Sequence, residues 1–247
     1  MIKIIGIGLW DEKSMTLQAQ EEAADCDFLY AEFYTSKMFG SSLKKLETKI
    51  GKDIQELSRE EVESGKELLE KAKKQKVGLL VGGDAMTATT HTQLILDAEE
   101  AGVESKIIHG VSIVSAAAGL SGLQVYKFGK TVSIPFEDVE SPYNIIEENK
   151  SIGAHTLCLL DIQDGKFMTV NEAMKKLLKI EKVREEKVFM KDTLVVGIAR
   201  AGSPKPVVKA GRVEELLKKN FGEPLQVLII PGKLHFAEEE ALELLKK

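Results

Sequence analysis

Apolar residues along the first half of the chain come in short runs, separated by stretches of helical period. Lys3-Ile-Ile-Gly-Ile-Gly8 is an apolar run ending in glycine, as a buried parallel strand would be. Thr16 predicts a capped helix over Leu17 to Cys26, and Phe28 to Glu32 reads as the next strand. Ser58-Arg-Glu-Glu61 is a capping-box pattern that predicts a charged helix running to about Lys74. Val77 to Val81 is too short for a buried helix and reads as a strand. A helix from about Thr90 to Ala101, stopped by Gly102, and a strand over Lys106 to Ile108 follow. Strand and helix in repeated alternation predict a parallel sheet with helices on its faces.

The second half has another rhythm. Strands are predicted over Thr131 to Ile134, Thr156 to Asp161, Thr193 to Ala199, Val207 to Gly211 and Gln226 to Ile230. Helices are predicted over Tyr143 to Ile152, Asn171 to Val183 and Phe236 to Leu245. Arg200-Ala-Gly-Ser-Pro-Lys-Pro206 is too short for a helical crossover, so the strands it joins should form an antiparallel hairpin. The fold expected is therefore α/β with two domains: a parallel-sheet domain over residues 1–115 and a mixed α/β domain over 116–247. No Ser- or Pro-rich linker separates them, so they are expected to share a cleft.

Composition narrows the function classes. The 247 residues carry 34 basic and 39 acidic side chains, a net charge of −5 that argues against a general nucleic-acid binder. No apolar run approaches the roughly 20 residues a bilayer requires, and the start of the chain does not read as a cleavable signal. With only Cys26 and Cys158, a disulfide or metal-binding cysteine framework is not expected. A soluble cytoplasmic protein is the expectation.

Ligands of open parallel sheets bind beyond the carboxyl ends of the strands. Three such exits carry glycine and small polar residues: Gly6-Ile-Gly-Leu-Trp-Asp11, Gly82-Gly-Asp-Ala-Met86 and His109-Gly-Val-Ser112. Asp84 could pair with a cationic amine, and Ser112, with the helix N-terminus after it, could serve a carboxylate or ribose. That combination suits a zwitterionic, adenosyl-type ligand, although glycines at three exits could also simply make tight turns. Other motifs fail. The dinucleotide fingerprint has Asp11 where a third small residue belongs, and Gly129-Lys130-Thr131 precedes a strand where a phosphate loop precedes a helix. His91, His109, His155 and His235 read as hydrogen-bonded or surface histidines rather than ligands. Glu137-Asp138-Glu140 and Glu238 to Glu240 read as solvated faces, Glu32 as a structural carboxylate, and Tyr126-Lys-Phe128 as a substrate rim or interface.

These loops also carry a resemblance. Tyr30-Ala-Glu-Phe-Tyr-Thr-Ser36, Gly82-Gly-Asp84, Ala88-Thr-Thr-His91, His109-Gly-Val-Ser-Ile113, the Gly122 to Thr131 block, His155 to Ile162 and Ala199-Arg-Ala-Gly202 resemble the diphthine synthase family over nearly the whole chain. That family lies within the tetrapyrrole-methylase-like methyltransferases. The resemblance implies S-adenosylmethionine-dependent N-methylation of the 3-amino-3-carboxypropyl-histidine on translation elongation factor 2, by a homodimer with the cofactor between its two domains. Carried across motif by motif, it implies cofactor contacts at Leu9, Asp84, Thr87, Ser112 and Ile113, completed by Leu160, Ala201 and Gln226. It implies no metal and identifies no catalytic base; Glu32 and Tyr34 are candidates for that role, with loss of the proton to solvent favoured over both. Two positions depart from the family pattern: Ala85 stands where a proline is usual, and Gln226 where histidine is frequent. The alternatives are a corrin-precursor methyltransferase and a non-catalytic protein that binds an adenosyl ligand.

Overall fold

The protein is described by a computed structural model covering residues 1–163 and 165–246. The chain divides into two compact units, Met1–Ile113 and Val114–Lys247.

In the first unit the strands are β1 (Ile2–Gly6), β2 (Phe28–Glu32), β3 (Ile54–Glu56), β4 (Val77–Val81) and β5 (Ser105–Ile108). They form one sheet in the order β3-β2-β4-β1-β5, with every neighbouring pair parallel. Its helices are α1 (Leu17–Ala24), α2 (Leu43–Ile50), α3 (Arg59–Ser64), α4 (Lys66–Ala72) and α5 (Thr92–Glu100). Two-residue alternation sorts each strand's side chains into separate cores. Ile2, Ile4, Leu79 and Val81 pack with Val62, Leu68 and Leu94 from α3, α4 and α5. Ile5, Leu29 and Leu80 pack on the other face with Ala19, Ala23 and Leu46 from α1 and α2. Lys3 is buried on that second face, where its ammonium meets Glu22 and Asp25 at 2.7 and 2.6 Å.

The predicted β2, β4 and hairpin strands are all present, and the structure adds to or corrects three readings. The charged helix that opens at the Ser58 capping box is broken rather than continuous. Gly65 at φ +62° is left-handed, which ends α3 before α4 begins. The helix α2 and the three-residue strand β3 lie in a region where no element was predicted.

In the second unit α6 (Ile113–Ser121) leads into β6 (Val132–Ile134), α7 (Ser141–Ser151) and β7 (Thr156–Leu160). A small hairpin, β8 (Ile162–Gln163) with β9 (Lys166–Phe167), precedes α8 (Val170–Arg184), β10 (Leu194–Ala199) and β11 (Val207–Arg212). The chain closes with α9 (Val213–Leu216), β12 (Gln226–Ile230) and α10 (Phe236–Leu244). The main sheet runs β11-β10-β12-β7-β6; only β6 and β7 are parallel, and β10 and β11 form the expected antiparallel hairpin.

The third correction concerns Glu238. It does not belong to a solvated face: Glu239 and Glu240 are exposed, but Glu238 is only 1% exposed. It accepts from the backbone N–H of Gln124 at 2.9 Å and of His235 at 2.8 Å, and it pairs with the Lys127 ammonium. His155 meets it at 3.0 Å through Nε2, while the Gly232 N–H donates to His155 Nδ1 at 2.9 Å, which fixes the tautomer. Burial alone would raise the Glu238 carboxyl, but Lys127 and the surrounding donors outweigh it and hold the group at about 2. Of the Tyr126-Lys-Phe128 stretch, Lys127 serves this cluster, Phe128 lies edge-on to His155 and Tyr126 is exposed.

Candidate functional site

At the carboxyl end of the first sheet, three strand exits meet backbone to backbone. Beyond β1 and β4 the chains stay paired, with Gly8 N–H on Gly83 O at 3.0 Å and Gly83 N–H on Gly8 O at 2.8 Å. The exits can approach because side chains are missing: a Cβ on Gly6 would stand 2.7 Å from Gly110 N and 2.9 Å from Ala85 N. Gly83 differs from these. At φ +78° it is left-handed, and a Cβ there would meet only Leu9 Cδ2, 4.0 Å away. The space over Gly83 is therefore open backbone, the kind of approach a ligand requires.

Asp84 ties the exits together. Its Oδ1 accepts from the Met86 N–H at 3.1 Å and the Thr87 hydroxyl at 3.3 Å. Its Oδ2 accepts from the Gly110 N–H at 3.2 Å and from His109 Nδ1 at 2.9 Å. Burial by itself would raise this carboxyl; the Met86, His109 and Gly110 donors overcome that and hold it below its ordinary value. A carboxylate has about four acceptor directions, and all four are used here. Asp84 thus organises the loops first, and only the exposed His109 could yield its place to a ligand amine. Ser112 Oγ lies 3.4 Å from Thr87 Oγ1, and α6 begins at the next residue, so the positive end of the helix dipole lies beside the two hydroxyls. Leu9, Asp84, Thr87, Ser112 and Ile113 therefore share one end of the first sheet.

The other three residues share one end of the second sheet. Leu160 is the last residue of β7, Ala201 follows β10 by two residues, and Gln226 opens β12, opposite Ala199 of β10. The antiparallel pairing Val227↔Leu159 brings the Leu160 and Gln226 ends to the same edge. Gln226 is buried, and its side-chain amide is engaged by the chain: it accepts from Val170 N–H at 2.9 Å and donates to Gly222 O at 2.8 Å. That leaves its backbone rather than its side chain for any ligand contact. His109 was not singled out as a contact residue in the sequence; its position between β5 and the Gly110 exit was the available signal.

A parallel sheet with glycine exits and an organised acidic loop, followed by a mixed sheet, is an arrangement open to many ligands, and comparison with known proteins gives its class as a methylase. Residues 1–217 match the family of tetrapyrrole (corrin/porphyrin) methylases. The chain is 49% identical to a diphthine synthase from Methanosarcina mazei, over 98% of this chain and 94% of that one. It is 47% identical to a diphthine synthase from Methanocaldococcus jannaschii, over 99% and 98% of the two chains. A crystal structure of a diphthine synthase superposes with a TM-score of 0.92 at 42% identity, covering 99% of this chain and 95% of that one. The chain belongs to the diphthine synthase family of methyltransferases.

Proposed function

We propose that the protein transfers methyl groups from S-adenosylmethionine to the amine of 3-amino-3-carboxypropyl-histidine on translation elongation factor 2, making diphthine in diphthamide biosynthesis. The observation that carries the reading is the open, left-handed Gly83 framed by Leu9, Asp84, Thr87 and Ser112, in a chain nearly half identical to diphthine synthases. Those residues fit an adenosyl ligand: bare backbone and the apolar Leu9 for a flat ring, and hydroxyls with helix amides for a carboxylate or ribose. Leu160, Ala201 and the Gln226 backbone are proposed as the remaining contacts. Homodimer assembly and a cytoplasmic location belong to the same proposal; no helix among the described residues is long and apolar enough to cross a membrane.

When bound, the cofactor supplies a methyl group already activated on a sulfonium. The chain's part is to bind and orient, because a C–N bond forms as the C–S bond breaks only with the amine in line. The glycine exits and Asp84 fix one side of that geometry as rigid backbone. The amine must shed a proton to water before it attacks. Buried Glu32 is not placed as a base by its surroundings, since both its oxygens already take donors from its own loop. The test is labelled methyl transfer to elongation factor 2 carrying the modified histidine, run beside a corrin precursor. Label in the factor alone supports the reading. Label in the corrin precursor favours the other branch of the class, and tight cofactor binding without transfer favours a binding protein.

A further inference from the structure

Behind the Asp84 loop lies a second polar pair that the methyl-transfer reading does not use. Glu32, at the end of β2, is 0% exposed, and His91, just before α5, is 1% exposed. His91 Nδ1 lies 3.2 Å from the carbonyl oxygen of Ala85. A carbonyl oxygen only accepts, so Nδ1 carries a hydrogen. In a neutral ring that leaves Nε2 as a bare acceptor. It faces Glu32 Oε1 at 3.8 Å and has no hydrogen-bond partner among the described residues. An ionised Glu32 would then set lone pair against lone pair between two buried side chains, which is costly for both groups.

Among the described residues none donates to His91 Nε2, although Thr90 and Gln93 line the same cavity as His91. From the loop after β2, the N–H groups of Tyr34 and Thr35 donate to Oε2, each at 3.1 Å, and the Thr35 hydroxyl donates to Oε1. From α3, Arg59 sits over the Tyr34 ring, 5.1 Å from its centroid, and Glu63 borders a cavity of about 260 Å³ that His91 also lines. Burial pushes the Glu32 carboxyl above its ordinary value against the pull of Thr35, His91 and Tyr34, which agrees with this geometry.

The pair also joins two loops. Glu32 holds the loop after β2, whose Ser36 packs against Gly82: a Cβ on Gly82 would stand 2.9 Å from Ser36 Cβ. His91 holds Ala85, the residue between Asp84 and the Met86 N–H that Asp84 accepts. We propose that Glu32 and His91 are positioning residues for the donor-site loops, a buried carboxyl–imidazole pair that holds one proton between its facing atoms and thereby keeps Ala85 pinned. The proposal rests on the methyltransferase reading only for what those loops bind.

Nitrogen NMR of the ligand-free protein with labelled histidine tests the proton directly. A proton on Nδ1, with Nε2 bearing or sharing a second one near neutral pH, is the expected signature. A free, unprotonated Nε2, or a ring protonated on Nε2 alone, overturns the proposal. Amide exchange at Met86 and Thr87 tests the pin. Glu32→Gln should stay within about twofold of wild type, because its oxygen still accepts the Tyr34 and Thr35 N–H groups while its NH2 donates to Nε2 and to the Thr35 hydroxyl oxygen, which turns to accept. His91→Phe should speed exchange about tenfold, the loss expected for one buried hydrogen bond. Glu32→Gln as fast as His91→Phe, or His91→Phe unchanged, refutes the pair. These readouts need no methyl donor, so failure of wild type to bind S-adenosylmethionine would count against the proposed function and not against the pin.

Discussion

Replacing Asp84 with asparagine separates organisation of the site from direct ligand contact. The carboxylate accepts four donors, at 3.1 and 3.3 Å on one oxygen and at 3.2 and 2.9 Å on the other. An asparagine oxygen can keep Met86 and Thr87, but its NH2 then faces the Gly110 N–H, two donors with no acceptor. A charge-assisted bond is lost and a backbone N–H is left unpaired, together about 2–3 kcal/mol where buried. The Asp84 side chain is only 12% exposed, so most of that loss should be felt by the loop. If about half is transmitted to the ligand, S-adenosylmethionine affinity falls roughly tenfold. Calorimetry reads the affinity, and amide exchange at Gly110 and Met86 reads the loop. Weaker binding with faster exchange at Gly110 is the expected pair of results. Weaker binding with unchanged exchange would refute the reasoning, because Asp84 would then act by touching the ligand alone.

Three further outcomes follow from the same geometry. The Glu238 carboxyl is held at about 2 instead of 4.5, so it stabilises the fold above pH 4.5, and that stabilisation is lost as pH falls toward about 2. Glu238→Gln should cost about 3 kcal/mol in urea unfolding at neutral pH and flatten the acid slope in that window. Gly110→Ala places a Cβ 2.8 Å from the backbone of Gly6 and should destabilise by about 1–3 kcal/mol, whereas Gly119→Ala, with nothing within 4 Å in α6, should stabilise by about 0.5–1 kcal/mol; thermal melts of the two variants decide this. Cys26 and Cys158 are buried, with burial pushing the first thiol to about 11 and the second higher, so neither should react with iodoacetamide until the protein unfolds; mass spectrometry of the treated native protein checks it.

Elements whose burial is set within one segment were legible in the sequence. Val77 to Val81, Leu29 to Ala31 and Val227 to Ile230 are apolar on both faces because both faces are covered, and each of the strands β4, β2 and β12 runs over the residues expected. What escaped depends on partners far along the chain. Glu238 looks like its neighbours Glu239 and Glu240, but Lys127 and His155 reach it across 111 and 83 residues. The break at Gly65 was hidden because a glycine inside a helical pattern signals a stop only when its backbone turns left-handed. Strand β3 spans three residues, too few for a period to show. For the site, glycine spacing pointed to the strand exits, but the saturated Asp84 and the facing Glu32 and His91 required the loops to be seen folded together.

The central claim is methyl transfer to one modified histidine, and the most direct measurement is mass spectrometry. Elongation factor 2 bearing the aminocarboxypropyl-histidine would be incubated with the protein and methyl-labelled S-adenosylmethionine, then digested and mapped. The account predicts labelled mass gains in whole methyl increments confined to the peptide carrying that histidine. An unchanged peptide, from protein that binds S-adenosylmethionine and is fully folded, would contradict it.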